Sequence, residues 1–190
     1  MGLGRFGGGV GLTRWLVRQG ARVTVSDQAD AESLGESIAR LAGLDVAVHV
    51  GGHDERDFRQ ADLVVVNPAV PKDSPFLQVA REAGVALTTE MNLFFQRCAA
   101  TIIGVTGTVG KSTTTAMIGL ALSGADMGDG QAAAGGRRRT WVGGNIGRSL
   151  LEELERIEPG DRVVLELSSF QLEGLAELRC SPHIAVITSL

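Results

Sequence analysis

Residues 104–115 read Gly-Val-Thr-Gly-Thr-Val-Gly-Lys-Ser-Thr-Thr-Thr. A β-rich run, Ala99 to Val105, leads into a turn with glycines at 104, 107 and 110. Lys111 and Ser112 follow, then a helix-forming stretch through Leu122. That order predicts a strand, a phosphate loop and a helix. Small residues let backbone N–H groups converge on a polyphosphate, and the N-terminus of the helix behind them favours negative charge. Lys111 can neutralise β- and γ-phosphate oxygens, and the Ser112 hydroxyl can sit on the Mg²⁺ that accompanies the nucleotide. Gly107, Thr108, Val109, Gly110, Lys111, Ser112 and Thr113 are therefore the candidate set for binding ATP or GTP. The competing reading is a glycine-rich turn that merely precedes a helix. The common pattern puts a glycine at position 105, which is valine in this chain. The motif is instead Gly-x-x-Gly-x-x-Gly-Lys-Ser-Thr, which points to a subclass of phosphate-loop enzymes.

Upstream of the loop, short β-rich runs alternate with helical stretches. Arg22 to Ser26, Asp45 to Val50, Leu63 to Asn67 and Val85 to Thr88 predict strands; Val10 to Gln19, Ala31 to Leu41 and Pro75 to Ala83 predict helices. Strands separated by helices imply parallel sheets with right-handed crossovers. The pattern restarts at Ala99, so two α/β units are expected, residues 1–94 and 95–190. Beyond the loop, residues 124–140, with Arg137, Arg138 and Arg139, read as an exposed segment. Ile146, Leu150, Leu151, Leu154 and Ile157 mark one face of a helix that stops at Pro159-Gly160. Strands over Arg162 to Leu167 and His183 to Ile187 follow.

The chain opens Gly2-Leu3-Gly4-Arg5-Phe6-Gly7, with Asp27 twenty residues past Gly7 at a strand end. This fits the dinucleotide-binding fingerprint, in which the acid meets a ribose. On its own it suggests an NAD-dependent dehydrogenase, but the same geometry suits the pyrophosphate of a nucleotide sugar. The fingerprint also calls for a strand ahead of the first glycine, and only Met1 stands there. A gap or an exposed sheet edge is therefore expected beside Arg22 to Ser26.

Composition bounds the rest. In 190 residues, 44% hydrophobic content is enough for buried cores. A net charge of −4 and a pI near 5.4 argue against nucleic acid or an anionic membrane surface as the main partner. Cys98 and Cys180 read as buried free thiols of a reducing cytoplasm, with a disulfide or redox pair as the alternative. His49, His53 and His183 have no metal-ligand spacing. No apolar run approaches the ~20 residues of a membrane span, and Phe6 spoils a myristoylation start. A soluble, cytoplasmic protein is expected.

Three segments together resemble the Mur ligase family, and within it the enzymes that add D-glutamate. They are Gly104 to Thr115, then Val142-Gly143-Gly144-Asn145-Ile146-Gly147, then Leu165-Glu166-Leu167-Ser168-Ser169-Phe170-Gln171-Leu172-Glu173. The Gly2 to Gly7 turn, Asp27 and Asn67-Pro68-Ala69-Val70 fall where that family's UDP-binding domain places them. The resemblance implies a Rossmann-like domain binding the UDP substrate, followed by part of a central ATP-binding domain, both with mainly parallel sheets. It implies ATP and Mg²⁺ as cofactors, and UDP-N-acetylmuramoyl-L-alanine and D-glutamate as substrates. Gly4, Arg5, Phe6, Gly7 and Asp27 would hold the UDP end, and Asn145, Ser168 and Gln171 the muramoyl-alanine end. Lys111 and Glu166 would be catalytic, with Ser112 and Glu166 holding the metal. The alanyl carboxylate would attack the γ-phosphate to give an acyl phosphate, which the D-glutamate amine would open to an amide.

Some positions depart from the family pattern. Valine stands at 109 where a polar residue is usual, Asn92 stands where an acid often follows Glu90, and residues 124–140 are longer than typical. The family's downstream histidine, modified lysine and C-terminal domain have no counterpart within these 190 residues, so the 190-residue chain alone is expected to lack ligase activity. A monomer is expected. The alternatives are another Mur-type amino-acid ligase, a non-catalytic nucleotide-binding module and, further off, the dehydrogenase.

Overall fold

A computed structural model describes residues 1–4, 8–125, 138–145 and 149–189. The chain divides into two compact units, Met1–Leu93 and Phe94–Leu190.

The first unit alternates α1 (Gly8–Arg18), β1 (Val23–Asp27), α2 (Gly35–Ala39), β2 (Val46–Val50), α3 (Glu55–Arg59), β3 (Leu63–Val65), α4 (Pro75–Glu82) and β4 (Ala86–Thr88). The second begins within α5 (Glu90–Arg97) and continues with β5 (Thr101–Thr106), α6 (Lys111–Ala125), β6 (Thr140–Gly144), a 3₁₀ helix (Leu150–Arg156), β7 (Arg162–Glu166), α7 (Ser169–Glu177) and β8 (Ile184–Ile187). Every paired strand is parallel, as the strand–helix alternation requires.

In the first unit β1 pairs with β2 and β3 with β4, as two separate two-stranded sheets. The expected gap beside Arg22 to Ser26 is present. A cavity of about 880 Å³ lies between the facing edges, lined by residues 22–26 and 63–67 among others. Met1 and Gly2 bridge its end: Gly2 N donates to Ser26 O (2.8 Å), the Met1 amino group to Val65 O (2.9 Å), and Asn67 N to Met1 O (3.0 Å). At that end, therefore, β1 and β3 stand one strand's width apart. Each sheet has its own apolar cluster. Leu3, Val10, Val25 and Leu41 gather beside β1 and β2, and Phe58, Val64 and Ala80 beside β3 and β4.

The second unit has one four-stranded sheet in the order β6-β7-β5-β8. Its central strands β5 and β7 are apolar because both faces are covered: Ile102, Val105, Val163, Val164 and Leu165 are all nearly or fully buried. Ile103, Val105 and Val164 pack with Ile118 and Leu122 of α6.

Sequence reading missed several elements. β6 hides in a Gly-rich stretch, yet Asp161 secures its start: the buried carboxylate accepts from Arg139 N (2.8 Å), Trp141 Nε1 (2.8 Å) and Glu158 N (3.1 Å). The helix expected from Ile146 onward is a seven-residue 3₁₀ segment, started by Ser149, whose hydroxyl accepts from Leu151 N, and halted before Pro159-Gly160. α3, α5 and α7 carried no strong apolar periodicity. The expected exposed segment 124–140 lies mostly outside the described residues, but α6 runs through Ala125 and β6 begins at Thr140. Cys98 and Cys180 are free, but not buried as expected. Cys98 is half-buried, and Cys180 is exposed in the loop after α7.

Two measurements test this architecture. β5 and β7 are hydrogen-bonded on both edges, whereas β1 and β3 each leave an edge on the cavity. Amides of residues 102–105 and 163–165 should therefore exchange with solvent far more slowly than those of residues 23–26 and 63–65; equal protection would contradict the separate sheets. Burial pushes the Asp161 carboxyl up, but its three donors outweigh that and hold it below the ordinary carboxylate value. The stabilisation is then present above the unfolded carboxylate pKa of about 4 and is lost as pH falls through the lower folded value. Asp161→Asn should lower the melting temperature at pH 7, with the gap from the parent closing toward pH 3.

Candidate active site

The end of β5 and the first turn of α6 fix the phosphate loop. Lys111 and Ser112 open α6, so both side chains start from a rigid helix end. Lys111 Nζ donates back to the carbonyls of Gly107 (2.9 Å) and Thr108 (3.2 Å), closing the loop on itself. Gly107 has φ +134°, and a Cβ added to it would collide with Thr188 Oγ1 and the Ser189 backbone. Val109 turns its side chain to solvent, 73% exposed. Its backbone is held by residues 188 and 189 at the end of β8, which the sequence reading had not linked to the loop.

Beside the loop, β7 delivers a carboxylate. Val105 pairs with Glu166, so the acid at the end of β7 stands level with the end of β5. Glu166 is 3% exposed. Ser112 Oγ donates to Glu166 Oε2 (2.6 Å), and Asn145 Nδ2 donates to Oε1 (3.2 Å). Asn145 N also donates to Glu166 O (2.8 Å), which locks the turn after β6 onto β7. Gly144 makes that turn possible: at φ +103°, a Cβ would strike the Glu166 carbonyl. The structure thus gathers Lys111, Ser112, Asn145 and Glu166 at the carboxyl edge of one parallel sheet, where such sheets bind ligands.

Both hydrogen-bond donors to the Glu166 side chain are neutral. A buried carboxylate so supplied is stabilised further by a cation. Among the described residues no group of three or more His, Cys, Asp or Glu could hold a metal. One carboxylate beside one hydroxyl is a donor set that fits Mg²⁺, which takes one or two protein oxygens and completes its shell with phosphates and water. Ser112 and Glu166 would hold it.

Ser168 and Gln171 are brought together, but first of all as the cap of α7. Ser168 Oγ accepts from Gln171 N (3.3 Å), and Gln171 Oε1 accepts from Ser168 N (2.9 Å), a capping box one residue past Leu167. The Gln171 amide nitrogen has no protein acceptor among the described residues. Thr108, Gly110 and Thr113 take their loop and helix positions around Lys111.

The remaining candidates belong to the first unit. Asp27 is committed to the glycine turn: Oδ2 accepts from Leu3 N (2.7 Å) and Gly4 N (3.2 Å), and Oδ1 from Ala29 N (2.9 Å). It shapes the turn before it could touch a ribose. Arg5, Phe6 and Gly7 lie outside the described residues.

Residues 1–89 match the Mur ligase MurD-like N-terminal domain, and residues 105–190 the Mur ligase middle domain. The chain belongs to the Mur ligase family. It is 47% identical over all 190 residues to a UDP-N-acetylmuramoylalanine–D-glutamate ligase of Roseiflexus sp., covering 38% of that protein. It is 43% identical over 182 residues (96% of the chain) to the protein of the same name from Geobacter metallireducens, covering 37% of it. A solved pseudomurein peptide ligase type C from Methanothermus fervidus aligns with 95% of the chain and 35% of its own, at 20% identity and a TM-score of 0.41. This Mur ligase chain therefore spans a little over a third of the length of the curated relatives it matches. The match across residues 1–89 removes the ground for a dehydrogenase. Among the described residues, no helix is long and apolar enough to cross a membrane.

Glu166→Gln separates metal binding from folding. It removes a buried charge while keeping the shape, so the melting temperature without ligand should hold or rise. Affinity for Mg²⁺–ATP should fall about tenfold or more, because a charged ligand to the cation is lost. Unchanged affinity in calorimetric titration would show that Glu166 takes no part in holding the metal.

Proposed function

We propose that this chain carries the UDP-substrate and ATP-binding parts of an ATP-dependent ligase that joins D-glutamate to UDP-N-acetylmuramoyl-L-alanine. The observation that carries the reading is buried Glu166, held between Ser112 and Asn145 and set beside Lys111 at the carboxyl edge of β5 and β7. The D-glutamate ligases named above, matched along all or nearly all of the chain, support the choice of substrate.

In this reading the β- and γ-phosphates enter the loop, and Lys111 exchanges the Gly107 and Thr108 carbonyls for phosphate oxygens. Ser112 and Glu166 would hold Mg²⁺, which would supply charge neutralisation for the transfer of the γ-phosphate. Asn145 and the Gln171 amide nitrogen orient the muramoyl-alanine carboxylate. Its oxygen attacks the γ-phosphorus as the bond to the β-phosphate oxygen breaks, giving an acyl phosphate and ADP. The D-glutamate amine then attacks the acyl carbon, phosphate leaves, and the amine's proton passes to solvent. Positioning and charge do most of the work, since phosphoryl transfer needs little covalent help from the protein. Gly4, Arg5, Phe6 and Gly7 cradle the UDP pyrophosphate, with Asp27 setting the turn. ATP and a UDP-linked precursor place the step in the cytoplasm, in cell-wall precursor synthesis, with the protein acting as a monomer.

The test joins residues 1–190 to the downstream portion of the Roseiflexus relative and follows phosphate release. Release should require ATP, Mg²⁺, UDP-N-acetylmuramoyl-L-alanine and D-glutamate together. Lys111→Ala and Glu166→Ala should each reduce it by about 10³-fold or more, the scale of losing a main charge-stabilising group. Release that ignores D-glutamate, or that follows another amino acid, would assign a different Mur-type ligase.

A further inference from the structure

The phosphate loop has a second support besides its own lysine. At the end of β8, Thr188 N donates to Thr106 O (2.9 Å), prolonging the β5–β8 ladder into the loop. Thr188 Oγ1 lies 2.6 Å from Val109 O and 3.2 Å from Thr106 O, so its single proton goes to Val109. Ser189 completes the clasp: its carbonyl accepts from Thr108 N (3.0 Å) and its hydroxyl from Val109 N (3.3 Å). Gly107 leaves room for this approach, since a side chain at that position would meet Thr188 and Ser189.

We propose that Thr188 is a positioning residue for the phosphate loop, holding the Val109 carbonyl away from the polyphosphate. The inference rests on the nucleotide reading above and goes beyond it. A phosphate cradle works only if N–H groups face the anion and carbonyl oxygens face elsewhere. Three loop carbonyls have to be kept out. Lys111 holds those of Gly107 and Thr108, and Thr188 holds that of Val109. When Lys111 turns to the phosphates it releases its two, and the clasp from β8 becomes the loop's remaining side-chain restraint among these contacts. Val109 has no polar side chain with which to hold itself, which leaves the task to Thr188.

The experiment titrates Mg²⁺–ATP into the full 190-residue chain and into Thr188→Val, Thr188→Ser and Lys111→Ala, with melting temperatures measured beside each. Thr188→Val keeps the shape and deletes the donor, so affinity should fall about tenfold, the scale of one hydrogen bond to a group left unpaired. Thr188→Ser should restore it, and the unliganded melting temperatures of the two variants should agree. Should Thr188→Val fold poorly, Thr188→Ala deletes the same donor with less bulk and should weaken binding by a similar factor. Parent-like affinity in Thr188→Val, with binding lost in Lys111→Ala, would overturn the proposal and leave the nucleotide site standing. Affinity loss that tracks melting temperature and is not rescued by serine would also overturn it. No Mg²⁺–ATP binding by the parent chain would bring down the nucleotide reading and the proposal together.

Discussion

The second unit is organised around one buried carboxylate. Glu166 stands at the last rung of β7, and its two oxygens and its carbonyl together hold the start of α6 and the turn after β6. Three elements far apart in sequence converge there because a parallel sheet brings all its strand ends to one edge. A carboxylate is expensive to bury without a cation, and apolar strands on both sides give it no alternative exposure. In the proposed reading, a nucleotide-bound Mg²⁺ would supply the positive charge that this buried carboxylate lacks.

The same economy governs the loop. Backbone donors are useful to a phosphate only when the neighbouring carbonyls are turned away, and this chain turns them away with groups of two kinds. Lys111 holds two of them from its own side chain, which the proposed reading turns toward the ligand; the β8 end holds another as an extension of the sheet. In the first unit Asp27 does comparable work on the glycine turn, accepting from Leu3 and Gly4. In both turns, a side chain outside the glycine run, Thr188 or Asp27, shapes the backbone.

Much of this was legible in the sequence. Strand, glycines, Lys-Ser and helix in order located the loop, and an apolar run ending in Glu166 located the carboxylate. With only Met1 ahead of the Gly2 turn, an open edge beside β1 was to be expected, and a cavity lies there. What escaped reading did so for physical reasons. β6 is stabilised by Asp161 and by pairing with β7, so its Trp-Val-Gly-Gly sequence reads as a turn. The 3₁₀ helix shares its apolar spacing with an α-helix over so short a span. α7 begins with a capping box whose Ser168 and Gln171 also read as ligand-binding residues. Thr188 gave no local signal, because its role comes entirely from β5 and β8 being neighbours in the sheet.

The central claim is that Ser112 and Glu166 form one cation site against the phosphate loop. A crystal structure of the chain with a non-hydrolysable ATP analogue and Mn²⁺ tests it most directly, because the anomalous signal locates the ion without assumption. The account predicts Mn²⁺ bound to Ser112 Oγ and to β- and γ-phosphate oxygens, with Glu166 bound directly or through one water and Lys111 Nζ moved onto the phosphates. An ion away from Glu166, or phosphates lying outside the Gly107 to Ser112 loop, would contradict it.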